Sequence, residues 1–500
     1  FLYPVCGIAS LMNYSFGNQG LSYNSLTLIL TQAVAGFFLY FISFDSDADT
    51  NTTKKSIIFC CIGFLLGWLT TIKFTTSLLL FIVIAIISFG VCLLFQKKSF
   101  GTFATHILLL IAGFLLSMIS ISIIYQSPLK ILLNIINTRK QIAGHNTDNL
   151  LQMYFEDFEE NFFLKFIFNN PIIIISPLVL LILFRNKMNI LFSIALISIF
   201  SLITKEVINH EHYYKVTAEY HNNTNELYRM LVALFTISFM LIFSDKYSRI
   251  LILPFIRNSS LFIIGMIFLL LLPFICSFGT NVPLSVHITQ FMSFTILMLC
   301  LCLLVLSIIS NYPHIIFPIG ITLLMINTAS QIISGFALSP YRLNQPLMKQ
   351  QYNIPTLTHN KQILFDEETK EFINNIIYTF EKNHIQVNEQ PVVIFDYPGL
   401  VYLMGALSPG FAWYNGGGYE NIYSTHCVVF NSSKMKNIDK TIFLYGNWCP
   451  PPKEFVNCIK QKGVDFKENY FIADSIDIPE KLRADDKKGK GKMFFYLPKK

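Results

Sequence analysis

Hydrophobic positions in the first two thirds of the chain come in about eleven long runs, which cease near Ser330. Short polar segments separate the runs, and the remainder of the chain mixes polar and apolar positions without a further run. From Ile107 to Ile124 no Asp, Glu, Lys or Arg occurs, which approaches the ~20 apolar residues a helix needs to cross ~30 Å of hydrocarbon. A helix in a water-soluble core rarely stays apolar on every face for so long. The pattern therefore predicts a mainly α fold: a polytopic transmembrane helical bundle of about 11 spans over residues 1–332, then a small C-terminal α/β soluble domain over 333–500. The expected spans are 1–15, 26–44, 56–72, 75–95, 105–125, 171–185, 189–204, 229–244, 258–276, 290–310 and 314–332.

Orientation follows from the short loops, because Lys and Arg gather on the cytoplasmic side. Lys54 and Lys55, Lys97 and Lys98, Arg185 and Lys187, and Lys246, Arg249 and Arg257 mark alternate loops and place those four inside. The loops at 16–25, Lys73, 126–170, 205–228 and 277–289 then face out, and two more spans place the tail outside as well. Residues 131–166 of the first long outer loop mix apolar and charged positions at helical spacing, which predicts a helix along the membrane surface. In the tail, Phe372, Ile373, Ile376, Ile377 and Phe380 line one face of a predicted helix over 366–384. The runs 391–395, 427–430, 441–445 and MFFYL near the end read as strands, and Pro450 to Pro452 lead into a helix at 453–462. Strands alternating with helices in this way predict a mixed or parallel sheet.

Composition agrees: 53% of residues are hydrophobic and 13% charged, against about 25% charged in ordinary globular domains. The formal charge of +7 is spread over loops and tail, not gathered on one basic face, so no nucleic-acid partner is expected. Seven of the ten cysteines fall in the apolar runs and read as packing residues. Cys449 and Cys458 can pair if the tail faces an oxidising compartment. Phe1 to Tyr14 reads as the end of a span with no signal peptide before it, and thus as a chain lacking N-terminal sequence.

No phosphate-binding P-loop, HExxH, CxxC or GxSxG motif occurs, and Gly416 to Gly418 read as a turn. Charge close to the outer face is the more useful signal. Arg139, Lys140, His145, Lys205, Lys215 and Arg229, with Lys130, are the candidates for holding a lipid-linked phosphate, since guanidinium and ammonium groups match phosphate oxygens. Among Asp148, Glu156, Asp157, Glu159 and Glu160, one carboxylate in a cavity can serve as a general base, although a wet helix face explains most of them. His210, Glu211, His212 and His221 lack a metal-site spacing, so no metal and no other cofactor is expected. Lys73 lies amid apolar sequence and is expected to snorkel from a helix end, with a place near a lipid phosphate as the lesser reading.

GFLLGWLTTIKFTTSLLLF (63–81) resembles the glycine-punctuated span pair with a lysine found in bacterial membrane glycosyltransferases of the C superfamily, which includes the protein O-mannosyltransferases and lipid A aminoarabinose transferases. NELYRMLVALFTISFMLIF (225–243) is similar too, and FDYPGLVYLMGALSPGFAWY (395–414) looks like the strand, turn and short helix of the domains that end many such proteins. The resemblance implies sugar transfer from a polyprenyl-phosphate donor to a glycan, lipid or protein acceptor, at the outer face of the cytoplasmic (inner) membrane. Relatives of this kind carry a catalytic acid in the first outer loop, after the first span. Phe1 already falls in a later span, so no residue here is assigned that role. The competing expectations are a lipid-linked oligosaccharide polymerase or ligase, a transporter, and a non-catalytic membrane scaffold. A polymerase or ligase favours a large loop between spans, and a transporter favours buried charges or broken helices in two related halves.

Overall fold

A computed structural model of the chain describes residues 23–43, 52–92, 100–124, 147–162, 190–199, 259–279, 284–309, 312–333, 345–355, 362–386, 389–394, 397–406, 438–447, 453–461, 463–479 and 491–499, with isolated positions between them. Two compact units result, one of Phe1–Leu132 and Leu150–Phe336, the other of Leu133–Asn149 and Ala337–Lys500.

The first unit is helical: α1 (Tyr23–Ser43), α2 (Thr52–Ile72), α3 (Phe74–Gly90), α4 (Phe100–Ile124), α5 (Thr147–Phe162), α6 (Ser259–Ser277), α7 (Leu284–His287), a 3-10 turn (Ile288–Phe291), α8 (Met292–Ile309) and α9 (Pro313–Ile332). Four described helices are long and apolar enough to cross a membrane: Asn24–Ile42, Lys54–Ile72, Phe100–Ile124 and Pro313–Ser330. Shorter apolar helices occupy Phe74–Gly90, Ile190–Ile199, Leu261–Ser277 and Met292–Ile308. The expected count of eleven reaches past the described residues, since 1–15 and 229–244 lie outside them. The expected span 75–95 is a helix of 17 residues, about 25 Å at 1.5 Å per residue.

Lipid tails are as apolar as leucine, so helices in a membrane associate through close packing more than through hydrophobic transfer. The α2–α4 contact shows the device. Gly63 and Gly67 on α2 stand four residues apart, as do Gly113 and Ser117 on α4. A Cβ at Gly63 would lie 2.0 Å from the Leu110 carbonyl oxygen, one at Gly113 2.0 Å from that of Cys60, and one at Gly67 1.5 Å from the Ser117 hydroxyl. The two backbones touch, running in the same direction. Around this seam Phe38, Phe41, Phe59 and Phe268 are fully buried, and His106 stacks on Phe59 with ring centroids 4.4 Å apart. On the other face of α4, Leu108, Leu115, Ile119 and Ile123 stay more than half exposed, as a lipid-facing side requires.

The second unit is a four-stranded mixed sheet between helices. Its strands are β3 (Val392–Ile394), β4 (Ile442–Gly446), β5 (Tyr470–Ile478) and β6 (Gly491–Pro498), and a separate hairpin pairs β1 (Tyr352–Pro355) with β2 (Gln362–Phe365). The sheet order is β3-β4-β6-β5, with β3 and β4 parallel and the other pairs antiparallel. Side chains alternate across it. Val392, Ile394, Ile442, Leu444, Met493 and Phe495 meet Phe372, Ile373, Ile376 and Phe380 of α10 (Glu367–Lys382) on one face. Val393, Phe443 and Tyr445 meet Ile459 of α12 (Lys453–Gln461) and Phe466 of α13 (Phe466–Asn469) on the other. α11 (Pro398–Leu403) follows β3. Each fully buried Ile, Leu or Phe contributes about 1.5–3 kcal/mol of transfer free energy. Asp366 starts α10: its carboxylate accepts from the Thr369 backbone N–H (3.0 Å) and hydroxyl (2.7 Å), satisfying a donor that the first turn leaves free.

The expected helices at 366–384 and 453–462 and the strands at 391–395, 441–445 and the C-terminus thus have observed counterparts. β1, β2 and β5 were not expected. The expected strand 427–430, the Gly416 to Gly418 turn and the Cys449–Cys458 pair lie outside the described residues.

Candidate functional site

α2 ends and α3 begins around one residue, Lys73, which leaves the helical region at φ −147°, ψ 89°. The sequence TTIKFTT dictates how such a break is tolerated in an apolar setting. The flanking hydroxyls turn back onto carbonyls of the last turns of α2 instead of standing unpaired in apolar surroundings, while the Lys73 backbone N–H still reaches the Leu69 carbonyl at 2.7 Å. Thr70 and Ser77 both donate to the Leu66 carbonyl, at 2.9 and 2.7 Å, and Thr71 donates to Trp68 at 2.8 Å.

Lys73 and the residues just after it satisfy carbonyls that the C-terminus of α6 leaves without an intrahelical donor. Lys73 Nζ donates to the Cys276 carbonyl, Thr76 to the Ile275 carbonyl at 3.3 Å, and Thr75 to that of Phe278 at 3.0 Å. A cation at a helix C-terminus also meets the negative end of the helix dipole. Gly279 sits at φ +82°, where a Cβ would press on the Thr75 hydroxyl at 2.4 Å, so only glycine fits the turn that follows.

Lys73 is 8% exposed. It does not snorkel, and this corrects the expectation from the sequence: the α6 terminus, 203 residues away, offers a carbonyl partner at depth. The ammonium lies 5.8 Å from the centre of the Phe291 ring, a cation–π distance. His287 packs against the same ring with centroids 5.5 Å apart. It is 3% exposed, and its Nδ1 has no hydrogen-bond partner among the described residues. Lys73 and His287 lie within electrostatic reach of each other. Gln290 Oε1, one residue before Phe291, is also buried without a partner among the described residues. No carboxylate among the described residues pairs with Lys73.

Helix α5 packs on this same end. Tyr154 is 5% exposed and its ring centre lies 5.4 Å from that of Phe278. Asp157, one turn on, is 8% exposed, while Phe155, Glu156 and Glu159 face outward. Among Glu156, Asp157 and Glu159, Asp157 is therefore the one turned inward.

Arg139, Lys140, His145, Lys205, Lys215 and Arg229, the candidates for donor phosphate, lie outside the described residues, as do His210, Glu211, His212 and His221. Lys130 is exposed. Among the described residues no group of three His, Cys, Asp or Glu is placed to hold a metal ion. His287 and Gln290 escaped the reading of the sequence. Their signal was present, a histidine and a glutamine in a connector otherwise free of charge, but nothing local ties them to Lys73.

Comparison of the chain with known protein families, with curated proteins and with solved structures yields no match.

Proposed function

We propose that the chain is a membrane glycosyltransferase, or part of one, that moves a sugar from a polyprenyl-phosphate donor to a glycan, lipid or protein acceptor at the non-cytosolic face of the cytoplasmic membrane. The observation that supports this reading most is the meeting of three connectors at one end of the bundle. The Lys73 break, helix α5 and the segment that follows α6 touch through Cys276, Phe278 and Phe291. The distribution of basic loops independently assigns the same three connectors to the outside. A lipid-borne donor cannot leave the bilayer, so the groups that act on it must gather where its head group emerges.

The chemistry is a displacement at the anomeric carbon. The acceptor oxygen forms the new glycosidic bond, the bond from that carbon to the phosphate oxygen breaks, and the acceptor proton passes to a base. Asp157 is the candidate base, being a buried acid of α5 at that end; general-base catalysis is worth about 10²–10⁴-fold. Arg139 and Lys140 remain candidates for the donor phosphate.

The test uses the purified chain in detergent with a radiolabelled polyprenyl-phosphate sugar and a membrane extract as acceptor. Label is expected to leave the solvent-extractable lipid for the acceptor. Asp157→Asn is expected to slow this at least about 100-fold with donor binding kept, whereas joint replacement of Arg139 and Lys140 by Ala is expected to weaken donor binding. Label that stays with the lipid in the presence of the chain contradicts the proposal.

A further inference from the structure

We infer that the end of the bundle around Lys73 is a binding site for the phosphate head group of a membrane lipid, with Lys73 and His287 as its anchors and the outward stripe of α3 as the bed of the lipid's tail. The inference rests on the reading above only for the identity of that lipid as a polyprenyl phosphate.

Charge is the first argument. An ammonium taken out of water is costly unless paired, and ionisable residues among membrane spans mark functional sites by default. Capping the Cys276 carbonyl uses one of the three N–H donors of Lys73. A neutral donor such as Gln would serve that carbonyl as well, and the helix dipole and the Phe291 ring favour a cation only modestly, so these contacts do not account for the full charge. An anion with several acceptor oxygens does.

His287 supplies the second anchor. Its Nδ1 is buried without a partner among the described residues, and its ring packs against the same Phe291 that lies 5.8 Å from the Lys73 ammonium. A buried ring nitrogen left unsatisfied is destabilising. Depending on tautomer, it can accept from a phosphate P–OH or donate to a phosphate oxygen.

The third argument separates a lipid from a free ion. Immediately after Lys73, α3 exposes Phe74, Leu78, Ile82, Ile86 and Phe89. Their spacing of four, four, four and three residues makes one continuous stripe, about 22 Å long at 1.5 Å per residue. An apolar track that begins at a buried cation fits a molecule with an anionic head and a long hydrocarbon tail. Inorganic phosphate makes no use of it.

The experiment measures binding of a long-chain polyprenyl monophosphate to the full chain in a phosphate-free maltoside detergent, with polyprenol and inorganic phosphate as competitors. Saturable binding is expected, with each competitor at least about tenfold weaker. Lys73→Gln keeps a donor for Cys276 and removes the charge, and is expected to weaken binding at least tenfold, whereas Lys73→Arg stays within a few fold of the native chain. His287→Phe keeps the packing on Phe291 and is expected to lose several-fold, which provides the test should Lys73→Gln not fold. Binding by both Lys73→Gln and His287→Phe within twofold of the native chain overturns the inference. So does inorganic phosphate binding as tightly as the lipid. Because the readout is binding, lipid held through Lys73 upholds the site even where no sugar is transferred, and the two proposals fail separately.

Discussion

Tyr470 and Lys73 are both polar groups drawn out of water, and each finds a backbone carbonyl far away in sequence. The Tyr470 hydroxyl donates to the Thr441 carbonyl at 2.9 Å. Burial, and secondarily the charge of Asp439, pushes its phenol well above the ordinary tyrosine range. The sign follows from the neutral form being favoured in the folded chain. Stability from this group is fully present below the unfolded tyrosine value, about 10, and is lost as pH rises beyond it towards the folded one. The thermal stability of the second unit is therefore expected to fall between about pH 10 and 12. Tyr470→Phe is expected to flatten that dependence and to cost about 1 kcal/mol at neutral pH; an unchanged alkaline slope in the variant contradicts this. Lys73 was visible in the sequence as an ionisable residue in apolar surroundings. Whether it snorkels or stays buried depends on the C-terminus of α6, and no local pattern encodes that distance.

Among elements, those with a strong period were the legible ones. α10 carries its apolar residues on one face and an aspartate at its start, and β4 is a short apolar run buried on both sides. β5 hid because YFIADSIDI places Asp474, Ser475 and Asp477 in a strand, residue types that sheets usually avoid. Among the described strands it forms an edge of the sheet, paired with β6, and a bulge between Ile472 and Asp474 resets its register. Edges tolerate such residues, and inward or flanking charge there discourages pairing with other chains. The glycine seam between α2 and α4 was noticed as punctuation, but its depth needed the structure. Gly63→Ala and Gly113→Ala are expected to lower the thermal stability of the bundle by about 1–3 kcal/mol, the usual cost of forcing atoms into a packed contact. Gly36 and Gly90 have nothing within 4 Å of an added Cβ, so Gly36→Ala and Gly90→Ala are expected to change stability little. Equal effects at all four positions, measured by helical circular dichroism on heating in detergent, contradict the seam.

At the scale of the whole molecule, the pattern of hydrophobic runs conveyed the coarse class of fold, mostly helical with apolar helices long enough to cross a membrane and a small sheet region. The site was legible only in outline. Three connectors, at Lys73, in α5 and after α6, touch one another, but the atoms that converge there, from Lys73, Cys276, Phe278, His287 and Phe291, come from segments some two hundred residues apart. Convergence on one side of the bilayer is the claim on which both proposals stand. Its direct measurement is labelling with a membrane-impermeant thiol reagent in intact cells, using single cysteines in an otherwise cysteine-free chain. Glu156→Cys on the exposed face of α5 and Lys349→Cys in the C-terminal unit are expected to react from outside, and Tyr312→Cys at the start of α9 only after permeabilisation. Reaction of Glu156→Cys only after permeabilisation, or reaction of Glu156→Cys and Tyr312→Cys from the same side, would contradict the account.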